Sequence, residues 1–321
     1  MSFSIIGTGH AVPEKIITND WLAERMDTSD EWIFSRTGIK ERRLSVLETA
    51  TSLSLDAALQ AIGDANIDKN DIDLIICATM RGDYITPSQA CIIQKELGVS
   101  CPAFDINAAC SGFVYALDVA RGYFAAKRVK KVLIVAVEML SRVINWEDRS
   151  TCVLFGDGAG AAILSEGDDL LTSFITAQGN IEGLNITYPF GKSIFGAEVE
   201  ERDGFVHMNG KSVYAFTVNA VSNDLQRCLA ESGLSPEELS WVIPHQANVR
   251  IINSAAAKSG IAREKFYVNI DKYANTSCAS IPMALDEMAK SNMLKKDDTI
   301  AMAGFGGGFT TGVCVIRWCK G

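Results

Sequence analysis

The sequence of 321 residues predicts an α/β fold made of two similar halves, with mostly parallel sheets and helices lying between and outside them. Three observations carry this prediction. Helix-period segments alternate with short strand-like segments. The runs Leu74 to Ala78 and Val132 to Val137 are continuously apolar, as strands covered on both faces are. The chain also resembles itself. Ala65 to Ile76 matches Ser232 to Ile243, 167 positions on, while Cys110 to Asp118 matches Cys278 to Asp286 and Val132 to Ala136 matches Ile300 to Gly304, both at 168. A period of this length is far beyond that of a solenoid repeat. Residues 1–170 and 171–321 read as the two halves, and no Pro/Gly/Ser-rich linker separates them, so they form one inseparable unit.

The elements follow in order. Apolar residues recur at helical spacing from Ser52 to Ala65, and a polar turn leads to the strand at Leu74. A second apolar run ends at Asp105-Ile-Asn-Ala-Ala-Cys110, where Phe113, Val114, Ala116, Leu117 and Ala120 begin a buried helix. The strand from Val132 follows, then a hairpin-like pair. The second half repeats the scheme, with a helix from Val218 to Ser232, a strand to Ile243, a helix after Asn275 and a strand at Ile300.

A hydrophobic fraction of 48% with seven prolines indicates a globular chain with a large core. A formal charge of −9 argues against nucleic acid and anionic membrane surfaces, which need a basic face. The apolar runs are far short of a membrane span. The N-terminal residues have neither a charged n-region nor an apolar h-region, so no signal peptide is expected. Nine cysteines, an odd number without a CxxC, fit reduced thiols and a cytoplasmic protein. His10, His207 and His245 have no metal-ligand spacing, so no metal site is expected.

Four signals carry chemistry. Cys110 stands at the predicted start of a helix, where unpaired N–H groups and the helix dipole favour a thiolate, the reactive form of cysteine. The plainer alternative is a packed core thiol. His245, in Ile243-Pro-His-Gln-Ala-Asn248-Val-Arg250, follows a strand and opens a helical stretch. It reads as a hydrogen-bond donor or proton relay, or else as a satisfied core histidine. Asn275 precedes the helix that matches the Cys110 helix, so a pseudo-twofold relation would bring the two N-termini together; a simple N-cap is its alternative. Gly304-Phe-Gly-Gly307-Gly308 lacks the GK[ST] of a phosphate loop, and such glycines bring backbone N–H groups close to a reacting centre. Gly7-Thr-Gly9 lacks a third glycine for a dinucleotide site. Gly156-Asp-Gly158-Ala-Gly160 precedes a strand and reads as a tight, closely packed turn.

Together these segments resemble the thiolase-like condensing enzymes, in particular the β-ketoacyl-[acyl-carrier-protein] synthase III family. The resemblance spans essentially the whole chain. It includes Thr28-Ser-Asp-Glu-Trp32, Arg36-Thr37-Gly-Ile39, Ala108-Ala-Cys110-Ser-Gly-Phe113, Asp148-Arg149-Ser-Thr, Phe155-Gly-Asp-Gly-Ala-Gly160, Pro244-His-Gln-Ala-Asn248, Asn275-Thr-Ser and Gly304-Phe-Gly-Gly-Gly308. A Cys-His-Asn set distinguishes this branch from elongating synthases, which use two histidines. The resemblance implies a five-layered αβαβα fold, a homodimer, and a condensation of acyl-CoA with malonyl-acyl-carrier-protein without a cofactor. Cys110 would carry the acyl group, His245 and Asn275 would hold the enolate oxygen, and the N–H groups of Cys110 and Gly307 would form the oxyanion hole. Trp32 and Arg149 would sandwich the CoA adenine, with Arg36, Thr37 and Asn248 along the rest of CoA, and Arg250 and Lys258 would touch the acidic carrier protein or simply be solvated charges.

Three departures stand out. Relatives with the smallest acyl pockets usually carry Phe where this chain has Thr86, in a segment that reaches the partner's pocket, which points to a larger, branched or aromatic primer. Cys278 stands where alanine is common, as a packing residue or an oxidisable one. Ala215 and Ala257 stand where lysines occur. A secondary-metabolism paralogue with the same triad and a non-catalytic paralogue remain the alternatives. A biosynthetic thiolase would need a second catalytic cysteine near the glycine loop, whereas Cys314 and Cys319 fall beyond it, in an expected terminal strand.

Overall fold

A computed structural model describes residues 2–188, 195 and 202–321. The strands are β1 (Ser2–Ala11), β2 (Ile16–Thr18), β3 (Glu41–Arg43), β4 (Leu74–Ala78), β5 (Ala103–Ile106), β6 (Lys131–Met139), β7 (Asp157–Gly167), β8 (Leu170–Asn180), β9 (Leu184–Ile186), β10 (Val206–Met208), β11 (Trp241–Pro244), β12 (Thr299–Gly306) and β13 (Gly308–Arg317). The helices are α1 (Asn19–Ala23), α2 (Asp30–Thr37), α3 (Ala50–Ala65), α4 (Gln89–Leu97), α5 (Gly112–Ala125), α6 (Arg149–Cys152), α7 (Gly210–Ser232), α8 (Val249–Ser259), α9 (Ile270–Tyr273) and α10 (Ser280–Lys290).

Two mixed sheets organise the chain. The first has the order β1-β7-β6-β4-β5 and the second β8-β13-β12-β11, so the first four positions correspond one to one. Parallel pairing is confined to β6-β4-β5 and β11-β12; every ladder involving β1, β7, β8 or β13 is antiparallel. This corrects the expectation of mostly parallel sheets. The reason is connection length: only Gly307 separates β12 from β13, and so short a link permits a hairpin but no crossover.

Side chains alternate across the first sheet. Leu74, Ile76, Val132 and Ile134 face inward to Phe113, Leu117, Ile281 and Leu285, whereas Ile75, Cys77, Leu133 and Val135 face out to Leu53, Ala57 and Ile93. On the second sheet Ile243, Ile300 and Met302 join the same central core, and Val242, Ala301 and Ala303 turn to α7 and α8. The result is the five-layered αβαβα order, with α3 and α4 outside, α5 and α10 in the middle, and α7 and α8 on the far side. Strands buried on both faces explain the continuous apolar runs. A further cluster, separate from those of the layers, is built on α1, α2, β2, α6, β9, β10 and α9.

Glycines set the layer spacing. A Cβ on Gly7 would lie 2.3 Å from the Ala61 carbonyl oxygen, and one on Gly9 would lie 2.2 Å from that of Ala57. Gly158 and Gly160, expected in a turn, lie inside β7, where a Cβ would meet Met283 Sδ or Met283 N, each at 2.8 Å; close packing is their role. Cys314 does lie in the last strand, but Cys319 lies beyond its end and donates to the Ile5 carbonyl at 3.2 Å. Among the described residues no helix is long and apolar enough to cross a membrane. Because the obstacle is helix backbone, Gly9→Ala should destabilise the fold by about 2 kcal/mol or more. A urea-unfolding midpoint equal to wild type would contradict this packing.

Candidate active site

The two central helices begin at one place. Each is preceded by a short 3-10 turn, Ala109–Ser111 before α5 and Ser277–Ala279 before α10. Equivalent residues of the turns, Ala109 and Ser277, sit 168 positions apart and share a left-handed backbone, at φ 46° and 51°. A Cβ on Gly112 would touch Ala78 Cβ at 3.1 Å and Cys278 Cβ at 3.2 Å, so the turns are packed together. Side chains cap α3, α4, α7 and α8, but α5 and α10 have no side-chain cap. The turns cap them instead, with Gly112 N–H donating to the Ala109 carbonyl and Ser280 N–H to the Ser277 carbonyl.

Cys110 lies in the first of these turns and is 6% exposed. Burial outweighs the helix terminus and pushes its thiol up to about 12, while a hydrogen bond from the Ser277 hydroxyl at 3.3 Å pulls it down. The resting residue is therefore a thiol, not the thiolate expected from its position. Gly306 packs directly against its backbone, where a Cβ would lie 2.7 Å from Cys110 N. Gly307 follows at the tip of the hairpin, its carbonyl accepting from Thr310 Oγ1 at 3.1 Å.

His245 sits between β11 and α8. The helix starts only at Val249, so His245 does not open it as expected. Its N–H donates to the Ala303 carbonyl at 2.8 Å and its ring meets Phe305 edge-on at 4.9 Å. Burial holds it down to about 3, so the ring is neutral. Nδ1 lies 2.8 Å from Ser280 Oγ, which is also 2.8 Å from the Ser277 carbonyl. The single Ser280 proton thus chooses the tautomer. Turned to Nδ1, it leaves the ring proton on Nε2, and turned to the Ser277 carbonyl, it leaves that proton on Nδ1.

Asn275 is 7% exposed, and its Oδ1 accepts from Ser277 N–H at 2.8 Å. This closes a local turn and is not the helix N-cap of the plain alternative, since α10 has no side-chain cap; the same bond fixes the amide so that Nδ2 remains a donor. Backbone pairing with Phe155 anchors it.

The other expected residues are spread over two surfaces. The guanidinium carbons of Arg36 and Arg149 stand 4.6 and 4.9 Å from the centre of the Trp32 ring, and Arg149 also bonds Asp27. Thr37 is buried, its hydroxyl donating to the Ile33 carbonyl and accepting from Ile39 N–H, so it shapes the end of α2 and offers no hydroxyl outward. Asn248 caps α8 through Oδ1, which accepts from Arg250 N–H at 2.8 Å. Arg250 donates to the Ser35 carbonyl, and Lys258, two turns further along α8, bonds Asn219. Thr86 lies in an exposed loop with Tyr84 and Ile85, the last 79% exposed.

Ser277, Ser280 and Glu138 belong to the site and were not singled out from the sequence. Glu138 had a signal, a lone carboxylate closing the apolar run from Val132. Ser277 had another, its alignment with the residue before Cys110.

Two family models match the chain. That described as 3-oxoacyl-[acyl-carrier-protein (ACP)] synthase III covers residues 104–179, and that described as its C terminal covers 229–318. A β-ketoacyl-[acyl-carrier-protein] synthase III of Clostridium acetobutylicum is 44% identical over 328 aligned positions, spanning 99% of each chain. One of Clostridium botulinum is 46% identical over 322, again over 99% of each. The crystal structure of 3-oxoacyl-[acyl-carrier-protein] synthase III from Aquifex aeolicus superposes with a TM-score of 0.92 at 43% identity, over 99% of this chain and 100% of that one.

The buried His245 has a stability signature. Unfolded, the ring takes a proton near pH 6.5, and folded only near 3, so its contribution is present above 6.5 and lost as pH falls toward 3. Between pH 6.5 and about 5, wild type should lose about 2 kcal/mol more stability than His245→Gln. Urea unfolding at both pH values measures this, and parallel losses would contradict a neutral buried ring.

Proposed function

The chain belongs to the β-ketoacyl-[acyl-carrier-protein] synthase III family, and on that premise we propose that it joins an acyl-CoA primer to malonyl-acyl-carrier-protein, releasing CoA and CO2 and starting fatty acid synthesis. The observation that carries this reading for the site is the convergence of Cys110, His245 and Asn275 at two paired helix N-termini.

In the first half-reaction Cys110 Sγ attacks the thioester carbonyl, the C–S bond to CoA breaks, and the thiol proton leaves with the CoA sulfur. The Cys110 and Gly307 N–H groups receive the oxyanion. In the second, the malonyl carboxylate leaves as CO2 and its electron pair becomes the enolate. Asn275 Nδ2 and His245, with its proton on Nε2, donate to the enolate oxygen. The carbanion then attacks the acyl carbonyl, the C–S bond to Cys110 breaks to give the 3-oxoacyl product, and the departing sulfur takes up a proton from solvent to restore the thiol. Decarboxylation itself supplies the carbanion, so the chemistry calls for no metal or organic cofactor. A neutral imidazole suits this task, because a cation in so dry a pocket would bind the malonyl carboxylate and oppose its loss.

Trp32, Arg36, Arg149 and Asn248 form the proposed CoA entrance. A base between Trp32 and Arg149 needs about 7 Å, two van der Waals spacings, against the 4.9 Å present, so Arg149 moves aside on binding. Arg250 and Lys258 are the proposed contacts for an acidic carrier protein. The exposed Ile85-Thr86 loop fits a cytoplasmic homodimer in which it closes the partner's acyl pocket. Thr86 favours a branched, longer or aromatic primer. The intact triad weighs against a non-catalytic paralogue.

Intact-mass spectrometry with acetyl-, isobutyryl-, octanoyl- and benzoyl-CoA tests this. One acyl mass should appear, be absent in Cys110→Ala, and be discharged by malonyl-acyl-carrier-protein. No adduct from any thioester on folded protein would refute the assignment. Asn275→Ala and His245→Ala should still take the acyl group but condense about 10²–10³ times more slowly, as loss of one oxyanion donor does. Unimpaired condensation by either variant would remove that residue from the mechanism.

A further inference from the structure

Asn275 belongs to no helix or strand. It falls between α9 and the Ser277–Ala279 turn. Ala274 before it holds φ 56°, a conformation that a non-glycine residue keeps only where its surroundings impose it. Those surroundings include one strip of backbone between α6 and β7. Asn275 N–H donates to the Leu154 carbonyl, and the Asn275 carbonyl accepts from Gly156 N–H, both at 3.0 Å. The strip packs too closely for a side chain at Gly156, where a Cβ would lie 2.4 Å from the Tyr273 carbonyl oxygen. Wherever residues 153–156 are held, the Asn275 amide is held with them.

A buried cation holds that strip. Arg42, on β3, is fully buried, and its Nη2 donates to the Val153 carbonyl at 2.9 Å. Its Nη1 donates to Asn19 Oδ1 at 2.9 Å and to the Ile17 carbonyl at 3.3 Å. Asn19 is buried too, and its Nδ2 donates to the Ile39 carbonyl at 2.7 Å and to Asp30 Oδ1 at 2.8 Å. The three acceptors of Arg42 are all neutral oxygens, and Nε has no partner among the described residues.

A charge buried on such terms is costly, and where bulk alone is needed an apolar side chain of similar volume serves as well or better. What a guanidinium adds is two Nη groups in one rigid plane. One ties into β2 and α1, and the other into the strip that pairs with Asn275.

We propose that Arg42 is a positioning residue for the condensation step, holding residues 153–156 and through them the Asn275 amide in line with the enolate oxygen. The inference rests on the proposed role of Asn275. Arg42 touches no reacting atom and moves no proton. Cys110 is placed by other contacts, its own turn before α5 and Gly306, so loading of the thiol does not draw on this brace.

The test separates the two half-reactions in single turnovers of the full-length protein, read by intact mass, with the acyl-CoA of the panel that loads wild type. Arg42→Lys keeps the charge but has one ammonium group in place of the two-pronged fork. At saturating acyl-CoA it should load Cys110 within about threefold of wild type, and malonyl-acyl-carrier-protein should discharge it about 10- to 100-fold more slowly. The loss should lie in the maximal discharge rate, with half-saturation by malonyl-acyl-carrier-protein within about threefold of wild type. In an Asn275→Ala background the same substitution should slow discharge by less than about threefold further, because its effect passes through that amide. Equal slowing of loading and discharge, a loss that multiplies with that of Asn275→Ala, or discharge at the wild-type rate would overturn the proposal. If Arg42→Lys does not fold, Asn19→Ala, which removes an Nη1 acceptor, decides by the same comparison, with an expected selective loss of about 3- to 10-fold in discharge. A wild type that takes no acyl group, or Asn275→Ala discharging at the wild-type rate, removes the proposed role of Asn275 and this inference with it. A slow Asn275→Ala whose loss multiplies with that of Arg42→Lys overturns this inference alone.

Discussion

Everything at this site depends on two helices being buried between two sheets with their N-termini abutting. α5 and α10 are covered on both sides, so their starts cannot be solvated, and no side chain caps either one. Short 3-10 turns satisfy the first N–H groups of both helices, Gly112 N–H on the Ala109 carbonyl and Ser280 N–H on the Ser277 carbonyl. The pseudo-twofold arrangement puts those two turns, with Cys110 and Ser277, into one small volume at the positive ends of two helices. Glycines make the approach possible. Gly112 admits Ala78 and Cys278, and Gly306 sits against the Cys110 backbone.

Burial also sets the protonation states. The thiol of Cys110 and the carboxyl of Glu138 are pushed up, and the imidazole of His245 is pushed down, so the resting site carries neutral groups. In such surroundings a hydrogen bond to developing charge is worth far more than in water, and the donors are already in place. A site that works through fixed donors rather than strong acids and bases suits a reaction whose carbanion comes from loss of CO2. Ser280 adds a subtler control, because the direction of one hydroxyl proton decides which nitrogen of His245 can donate.

The CoA entrance is built by different means. Trp32, Arg36 and Arg149 lie in the separate cluster, on elements that pair locally rather than with the central sheets. Its surface is held by cation–π contacts and backbone hydrogen bonds that a ligand can displace. The rigid core therefore holds the reacting atoms and the separate cluster accommodates the carrier.

The duplication, the strands and the central helices were legible in the sequence, because burial on both faces leaves unbroken apolar runs and each half must satisfy the same packing. The triad was legible for a related reason: Cys110 and His245 stand where an apolar segment ends and Asn275 just ahead of the helix that matches the Cys110 helix, and strand and helix ends are where backbone groups can meet a ligand. The antiparallel half of each sheet was not legible, since it follows from how Gly307 and the β6–β7 connection return the chain. Nor was the resting thiol of Cys110, because helix position argues for a thiolate and only the packed interior shows that desolvation wins. Residue order alone determined which chemical groups this protein owns and that they fall at equivalent points of two halves. Tertiary structure decided their protonation and their neighbours, including Ser277 against sulfur and Glu138 behind it, because those depend on segments 140 to 167 residues apart meeting away from water.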